Sequence, residues 1–303
     1  MIEVKNVVKT FDGFAALNDA TISVPTGAVY GLVGPNGAGK STIIRHLTGI
    51  FRQDSGTVRL GGEDVWENAA LKAKIAAIPD DWYYFNSAGI GDMMRFYKGF
   101  YPNFSTERYE KLREVFELDE KRPIRRFSKG MQKQAAFLLG LACETEYLLC
   151  DETLDGLDPV MRKTVRRIIA SEVAERGLTV IFASHNLGEI EDICDHVALL
   201  HKGELLFEAG LDDIKTGIHK IQVSFEKSAV AEAKRQLESL DKVSLEQRGS
   251  LFTVIARGDE KYLEDYMHSL SPLFVEFIPL TLEEIFIAEM EERGYEFHEK
   301  ILS

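Results

Sequence analysis

Gly34-Pro35-Asn36-Gly37-Ala38-Gly39-Lys40-Ser41-Thr42 stands between an apolar, β-branched run, Val29-Tyr30-Gly31-Leu32-Val33, and the segment Ile43-Ile44-Arg45-His46-Leu47. The first flank predicts a strand and the second a helix. The turn between them therefore carries the G-x-x-x-x-G-K-[ST] pattern of a P-loop in the context that pattern needs. Glycines let consecutive backbone N–H groups curl around a phosphate, because no Cβ stands in the way. The start of the following helix adds its positive dipole end. Lys40 can then neutralise β- and γ-phosphates, and the Ser41 hydroxyl can reach Mg²⁺. Gly34 to Thr42 is thus the predicted nucleotide-binding loop.

The 303 residues are 45% hydrophobic and 28% charged, with a net charge of −13. That is the composition of a globular protein long enough for two domains. An acidic chain has no overall attraction for nucleic acid or anionic lipid, so no nucleic-acid partner is expected. A bound nucleotide must be held by local dipoles and a few cations. Cys143, Cys150 and Cys194 show no metal-ligand spacing, and Cys143 and Cys150 lie in apolar stretches, as reduced thiols in the cytosol do. The N-terminus lacks a signal-peptide plan, and no apolar run reaches membrane-spanning length. Work at a membrane would need another chain to cross it.

Strands and turns surround the loop over residues 1–60. Residues of about 87–135 change to helical spacing, with Met93, Phe96, Tyr97, Tyr109, Leu112, Val115 and Phe116 as the apolar set. Strands and helices then alternate: Tyr147–Cys150, Pro159–Arg176, Leu178–Ala183 and His196–Leu200. The reading is an α/β core, a mixed and largely parallel sheet of the P-loop NTPase kind with a helical insert, over 1–211. Residues 212–303 read β-α-β-β-α-β, a small acidic α+β module of ferredoxin-like order, followed by Thr281-Leu282-Glu283-Glu284 as a capping box for a last helix.

Four further segments narrow the chemistry. Tyr147-Leu148-Leu149-Cys150-Asp151-Glu152 is an apolar strand ending in two carboxylates. Asp151 at its tip is placed to hold Mg²⁺ through water, and Glu152 can polarise an attacking water as a general base. Phe127-Ser128-Lys129-Gly130-Met131-Gln132 opens a helix whose first N–H groups and serine can face a phosphate. Leu154-Asp155-Gly156-Leu157-Asp158-Pro159 follows the acidic pair, and Ile181-Phe182-Ala183-Ser184-His185-Asn186 ends the next strand.

In this order, over residues 1–210, the segments resemble the ATP-binding domain of ABC transporters. Ser128, Lys129, Gly130 and Met131 match the family's signature, usually Leu-Ser-Gly-Gly-Gln, with Lys129 in place of the first glycine and Met131 in place of the glutamine. Asp158 resembles the D-loop aspartate that bridges two nucleotide sites, and His185 the switch histidine at the γ-phosphate. Phe11 takes the place of the aromatic that stacks on adenine, with Phe14 as the competing choice. Asp80 stands where the family has a glutamine that senses Mg²⁺, in Ile78-Pro79-Asp80-Asp81-Trp82. The aromatics Trp82-Tyr83-Tyr84-Phe85 beside it can receive a helix of a membrane subunit or pack between core and insert.

The resemblance implies an ATPase with Glu152, His185 and Lys40 as catalytic residues and Ser41, Asp151 and Asp80 at the metal. It implies ATP and Mg²⁺ as ligands, and a homodimer, or a heterodimer with a related ATPase, enclosing ATP head to tail. It also implies a separate membrane-spanning permease, a cytoplasmic site at the inner face of the membrane, and export linked to antibiotics or the cell envelope. The competing readings are a soluble ABC ATPase with a regulatory or nucleic-acid-linked role, and a binding module without turnover. One cassette, no heptads and the acidic charge weigh against the former, and Glu152 with His185 against the latter.

Overall fold

The structure is a computed structural model and describes residues 1–292. The chain divides into two compact units, Met1–Glu208 and the residues from Ala209 onward.

The first unit begins with β1 (Ile2–Phe11) and β2 (Phe14–Val24), joined by Asp12 and Gly13, both at positive φ. Such a two-residue turn matches the twist of the strands it connects. β3 (Val29–Val33) leads through the P-loop into α1 (Lys40–Leu47). Then come β4 (Ser55–Leu60), β5 (Glu63–Asp64), α2 (Ala69–Lys72) and β6 (Ile75–Ile78). The helical insert holds α3 (Ile90–Phe100) and α4 (Thr106–Phe116), and α5 (Lys129–Ala142) returns the chain to the core. It closes with β7 (Tyr147–Asp151), α6 (Pro159–Arg176), β8 (Thr179–Ser184), α7 (Leu187–Glu191), β9 (His196–His201) and β10 (Glu204–Gly210). Of these, α7 and β10 were not legible as separate elements.

These strands form two sheets. One is antiparallel, in the order β2-β1-β4-β5. The other has the order β10-β9-β3-β8-β7-β6, and from β9 to β6 its strands run parallel. β3, β7 and β8 are buried at every residue, as befits parallel strands covered on both faces. Between the sheets lies one apolar cluster: Val4, Ile22 and Val58 from the first, Leu32, Leu149 and Ile181 from the second, and Ile43 and Leu47 of α1. Burying one face of α1 against both sheets fixes where the P-loop ends. Cys143, Cys150 and Cys194 are free thiols, the first two buried.

Because β3, β8, β7 and β6 are neighbours and parallel, their carboxyl ends share one edge. Strands lie about 4.8 Å apart, so the segments that follow them are brought side by side. That edge carries the candidate site.

The second unit contains α8 (Leu211–Gly217), β11 (Ile218–Ser224), α9 (Val230–Glu238), β12 (Lys242–Arg248), β13 (Leu251–Arg257), α10 (Glu260–Ser269), β14 (Phe274–Ile278) and α11 (Leu282–Glu292). Its sheet is antiparallel, in the order β12-β13-β11-β14. From β11 to β14 the elements follow β-α-β-β-α-β. Alternate residues of β13, Phe252, Val254 and Ala256, pack with Leu237, Leu263 and Met267 of the two helices. Thr281 and Glu284 form the capping box: the Glu284 N–H donates to Thr281 Oγ1 at 3.2 Å, and the Thr281 N–H to Glu284 Oε2 at 3.1 Å.

Candidate active site

The loop after β3 is shaped by glycines at positive φ. Gly34 has φ 155°, and a Cβ there would lie 2.2 Å from the Leu200 carbonyl oxygen on β9. Gly37, at φ 81°, borders open space, where a Cβ would meet nothing. The loop therefore hugs the sheet at its start and opens at its crest. α1 begins without a side-chain cap among the described residues and has no acid in its first turn. Its leading N–H groups are left for an anion.

Lys40, the first residue of α1, is 5% exposed. Its Nζ donates to the Gly34 carbonyl at 2.6 Å and to Pro35 O at 3.3 Å, and lies 3.4 Å from Glu152 Oε1. The other carboxylate oxygen of Glu152, Oε2, lies 2.9 Å from His185 Nδ1. One carboxylate thus joins the three candidate catalytic residues, from the ends of β3, β7 and β8. His185 Nδ1 is also 3.8 Å from Asp155 Oδ2. Asp155 had no role in the sequence reading, because the turn that returns it toward β8 is a tertiary feature.

Asp151 is buried beside the Ser41 hydroxyl. Its Oδ1 has no hydrogen-bond partner among the described residues, and burial pushes its carboxyl up from the usual carboxylate range. A buried carboxylate oxygen left unpartnered is costly unless something positive satisfies it. Together with the Ser41 hydroxyl it forms the all-oxygen donor set that suits Mg²⁺. The Asp80 carboxylate, 65% exposed, is 3.5 Å from Lys133 Nζ. Lys133 was not singled out in the sequence, since nothing in a spacing links α5 to the loop after β6.

Ser128 caps α5, its hydroxyl accepting from Met131 N–H at 3.2 Å. The start of α5 packs on the turn after β7 so closely that a Cβ at Gly130 would sit 2.7 Å from the Gly156 carbonyl oxygen. Lys129 and Met131 flank that contact in the first turn of the helix. Asp158 caps α6, accepting from Met161 N–H at 2.9 Å, with Pro159 at the first helical position. Ser128→Ala is expected to lower the stability of the isolated chain by about 1 kcal/mol. The readout is a lower denaturant midpoint at unchanged slope. Phe11, at the end of β1, packs against Phe51 with ring centroids 5.1 Å apart, whereas its neighbour Phe14 is 65% exposed.

Comparison with known proteins gives the family. Residues 17–155 match the family model for the ABC transporter domain. The ABC transporter ATP-binding protein YtrB of Bacillus subtilis is 29% identical over 289 residues, 95% of this chain and 98% of its own length. The lantibiotic transport ATP-binding protein SrtF of Streptococcus pyogenes is 30% identical over 230 residues, covering 75% of this chain and 99% of SrtF. The bacitracin transport ATP-binding protein BcrA of Bacillus licheniformis is 31% identical over 222 residues, 71% of each chain. Among solved structures, an ATP binding subunit of an ABC transporter superposes with a TM-score of 0.66 at 26% identity, covering 71% of this chain and 92% of that one. The dimeric post-hydrolysis cassette MJ0796 bound to ADP and Pi has the same fold, with a TM-score of 0.64 at 19% identity over 70% of this chain and 99% of its own. By sequence and by fold this chain belongs to the ABC transporter family, as an ATP-binding subunit that hydrolyses ATP.

Proposed function

We propose that two copies of this chain, or one copy and a related ATPase, close head to tail around ATP and Mg²⁺ and drive a separate membrane permease from the cytoplasmic face. The observation that carries this reading is the Glu152 carboxylate held between Lys40 at 3.4 Å and His185 at 2.9 Å. Lys40 and the start of α1 neutralise the phosphates, Glu152 orients the attacking water, and His185 fixes the geometry at the γ-phosphate. Phe11 lies under the adenine. Ser128 and Gly130 of the second copy, with Lys129 and Met131 beside them, cover the γ-phosphate, and Asp158 links the two sites. Ser41 and Asp151 would hold Mg²⁺, which would supply charge neutralisation at the phosphate oxygens.

No helix among the described residues is long and apolar enough to cross a membrane, so the permease is a separate chain in this reading. An apolar groove of about 600 Å³, lined by Pro79, Trp82, Tyr83, Phe96, Phe100 and Tyr101, is a suitable seat for its helix. Tyr83 and Phe100 are 68% and 67% exposed there, while Trp82 donates to Tyr97 Oη at 3.0 Å and packs on the insert. SrtF and BcrA, named for lantibiotic and bacitracin transport, support transport of an antibiotic as the task, and export of such a compound or of a cell-envelope compound is the form we propose.

The purified chain is expected to convert ATP to ADP and phosphate, and chelation of Mg²⁺ to stop it. Asp151→Asn should raise the Mg²⁺ concentration for half-maximal rate by about 10–100-fold, read from a Mg²⁺ titration at fixed ATP. An unchanged requirement removes Asp151 from the metal site. Co-purification from membranes identifies the permease, and its absence from such preparations counts against the transport role.

A further inference from the structure

Glu152 has φ 50°, a left-handed backbone that side-chain-bearing residues adopt only when their surroundings hold them there. Two contacts do so. Its N–H donates to the Ala183 carbonyl on β8 at 2.9 Å. Its carbonyl accepts from Lys133 Nζ, which reaches across from the second turn of α5. The peptide groups on both sides are thereby fixed, and the side chain is left facing Lys40 and His185. The Lys133 ammonium has a further neighbour, the Asp80 carboxylate at 3.5 Å. Lys133 is 16% exposed and Asp80 65%. A flexible four-carbon stem is thus held from the α5 side, and its charge is offset by an acid in the loop after β6.

We propose that Asp80 serves hydrolysis as a positioning residue, acting through Lys133 on the backbone of Glu152, and not as a ligand of the cation. The proposal rests on Glu152 being the group that orients the attacking water. A lone carboxylate near an anionic nucleotide would be repelled by it. Paired with Lys133, Asp80 brings no unbalanced charge to the site. The bond from the ammonium to the Glu152 carbonyl is charge-assisted and largely shielded, so it carries most of the effect. The Asp80 pair is mostly solvated and therefore contributes less.

Steady-state ATP hydrolysis by the full chain tests this with a double-mutant cycle. Lys133→Met is expected to lower kcat about tenfold while KM for ATP and the Mg²⁺ requirement stay within about twofold, and Lys133→Arg to recover most of the rate. Asp80→Asn should lower kcat about threefold in the parent and by nothing further in the Lys133→Met background. A raised Mg²⁺ requirement for Asp80→Asn, or equal losses in both backgrounds, overturns the proposal in favour of direct cation contact. Unchanged kcat for Lys133→Met overturns it as well. Asp80→Asn changes an exposed side chain, so its Mg²⁺ titration decides the matter even where Lys133→Met fails to fold. A parent chain without ATPase activity defeats the reading of Glu152 and this proposal with it. Normal parent turnover with a silent Lys133→Met defeats the proposal alone.

Discussion

Glu152→Gln binds ATP and turns it over about 10²–10⁴-fold more slowly than the parent, the loss expected when a general base is removed and shape is kept. Glutamine is nearly isosteric, so the Ala183 and Lys133 bonds to the Glu152 backbone persist, and the left-handed turn with them. What disappears is the negative charge beside Lys40 and the acceptor pair between Lys40 and His185. Lys40 is relieved of a competing anion, so nucleotide affinity should hold or rise while chemistry stalls. Equilibrium binding of a fluorescent ATP analogue and single-turnover hydrolysis measure the two separately. ATP-loaded dimer should accumulate, visible as a doubled mass in solution. Hydrolysis near the parent rate would remove Glu152 from its assigned role. A loaded chain that stays monomeric would instead count against closure of two copies of this chain around ATP.

Lys40→Ala is expected to fail at the earlier step. Its ammonium is 5% exposed and makes its bonds to the carbonyls of Gly34 and Pro35, which lie where the loop bends around its crest. On the proposed reading, removing it takes away the loop's cation for the phosphates, a loss of about 10²–10³-fold in turnover, with weaker ATP binding besides. It also strips two loop carbonyls of their donor. The effect should appear in KM as well as kcat, in contrast to Glu152→Gln, where KM is spared. Isothermal titration with ATP and Mg²⁺ checks the binding part. Unaltered ATP affinity in Lys40→Ala would show that the loop holds nucleotide by its backbone alone. Because the two substitutions break different steps, their signatures cannot be confused.

Most of the architecture was legible because it is written in local patterns. Pro159 marked the start of the helix read over Pro159–Arg176, and in the structure Gly177 ends α6 in the left-handed conformation. The Thr281 capping box was readable for the same reason, since its partners are three residues apart. α7 and β10 escaped notice because one is a single short turn and the other alternates only weakly. In the site, Lys40, Asp151 and Glu152 were named from strand ends and glycines and His185 from the resemblance to the ABC family, whereas Lys133 and Asp155 were not named. Their partners come from other strands and helices.

The amino-acid order alone determined that a phosphate-binding loop follows a buried strand, that two acids cap another, and that a small α+β unit succeeds the cassette. Periodicity, glycine placement and helix caps act over a few residues, so they survive in one dimension. Only the tertiary structure decided that β3, β8, β7 and β6 lie next to one another in that sequence. That order sets one Glu152 oxygen against Lys40 and the other against His185, and turns the Glu152 carbonyl to a lysine paired with Asp80. Strand neighbours are chosen by packing between segments far apart in the chain, and no local pattern records that choice.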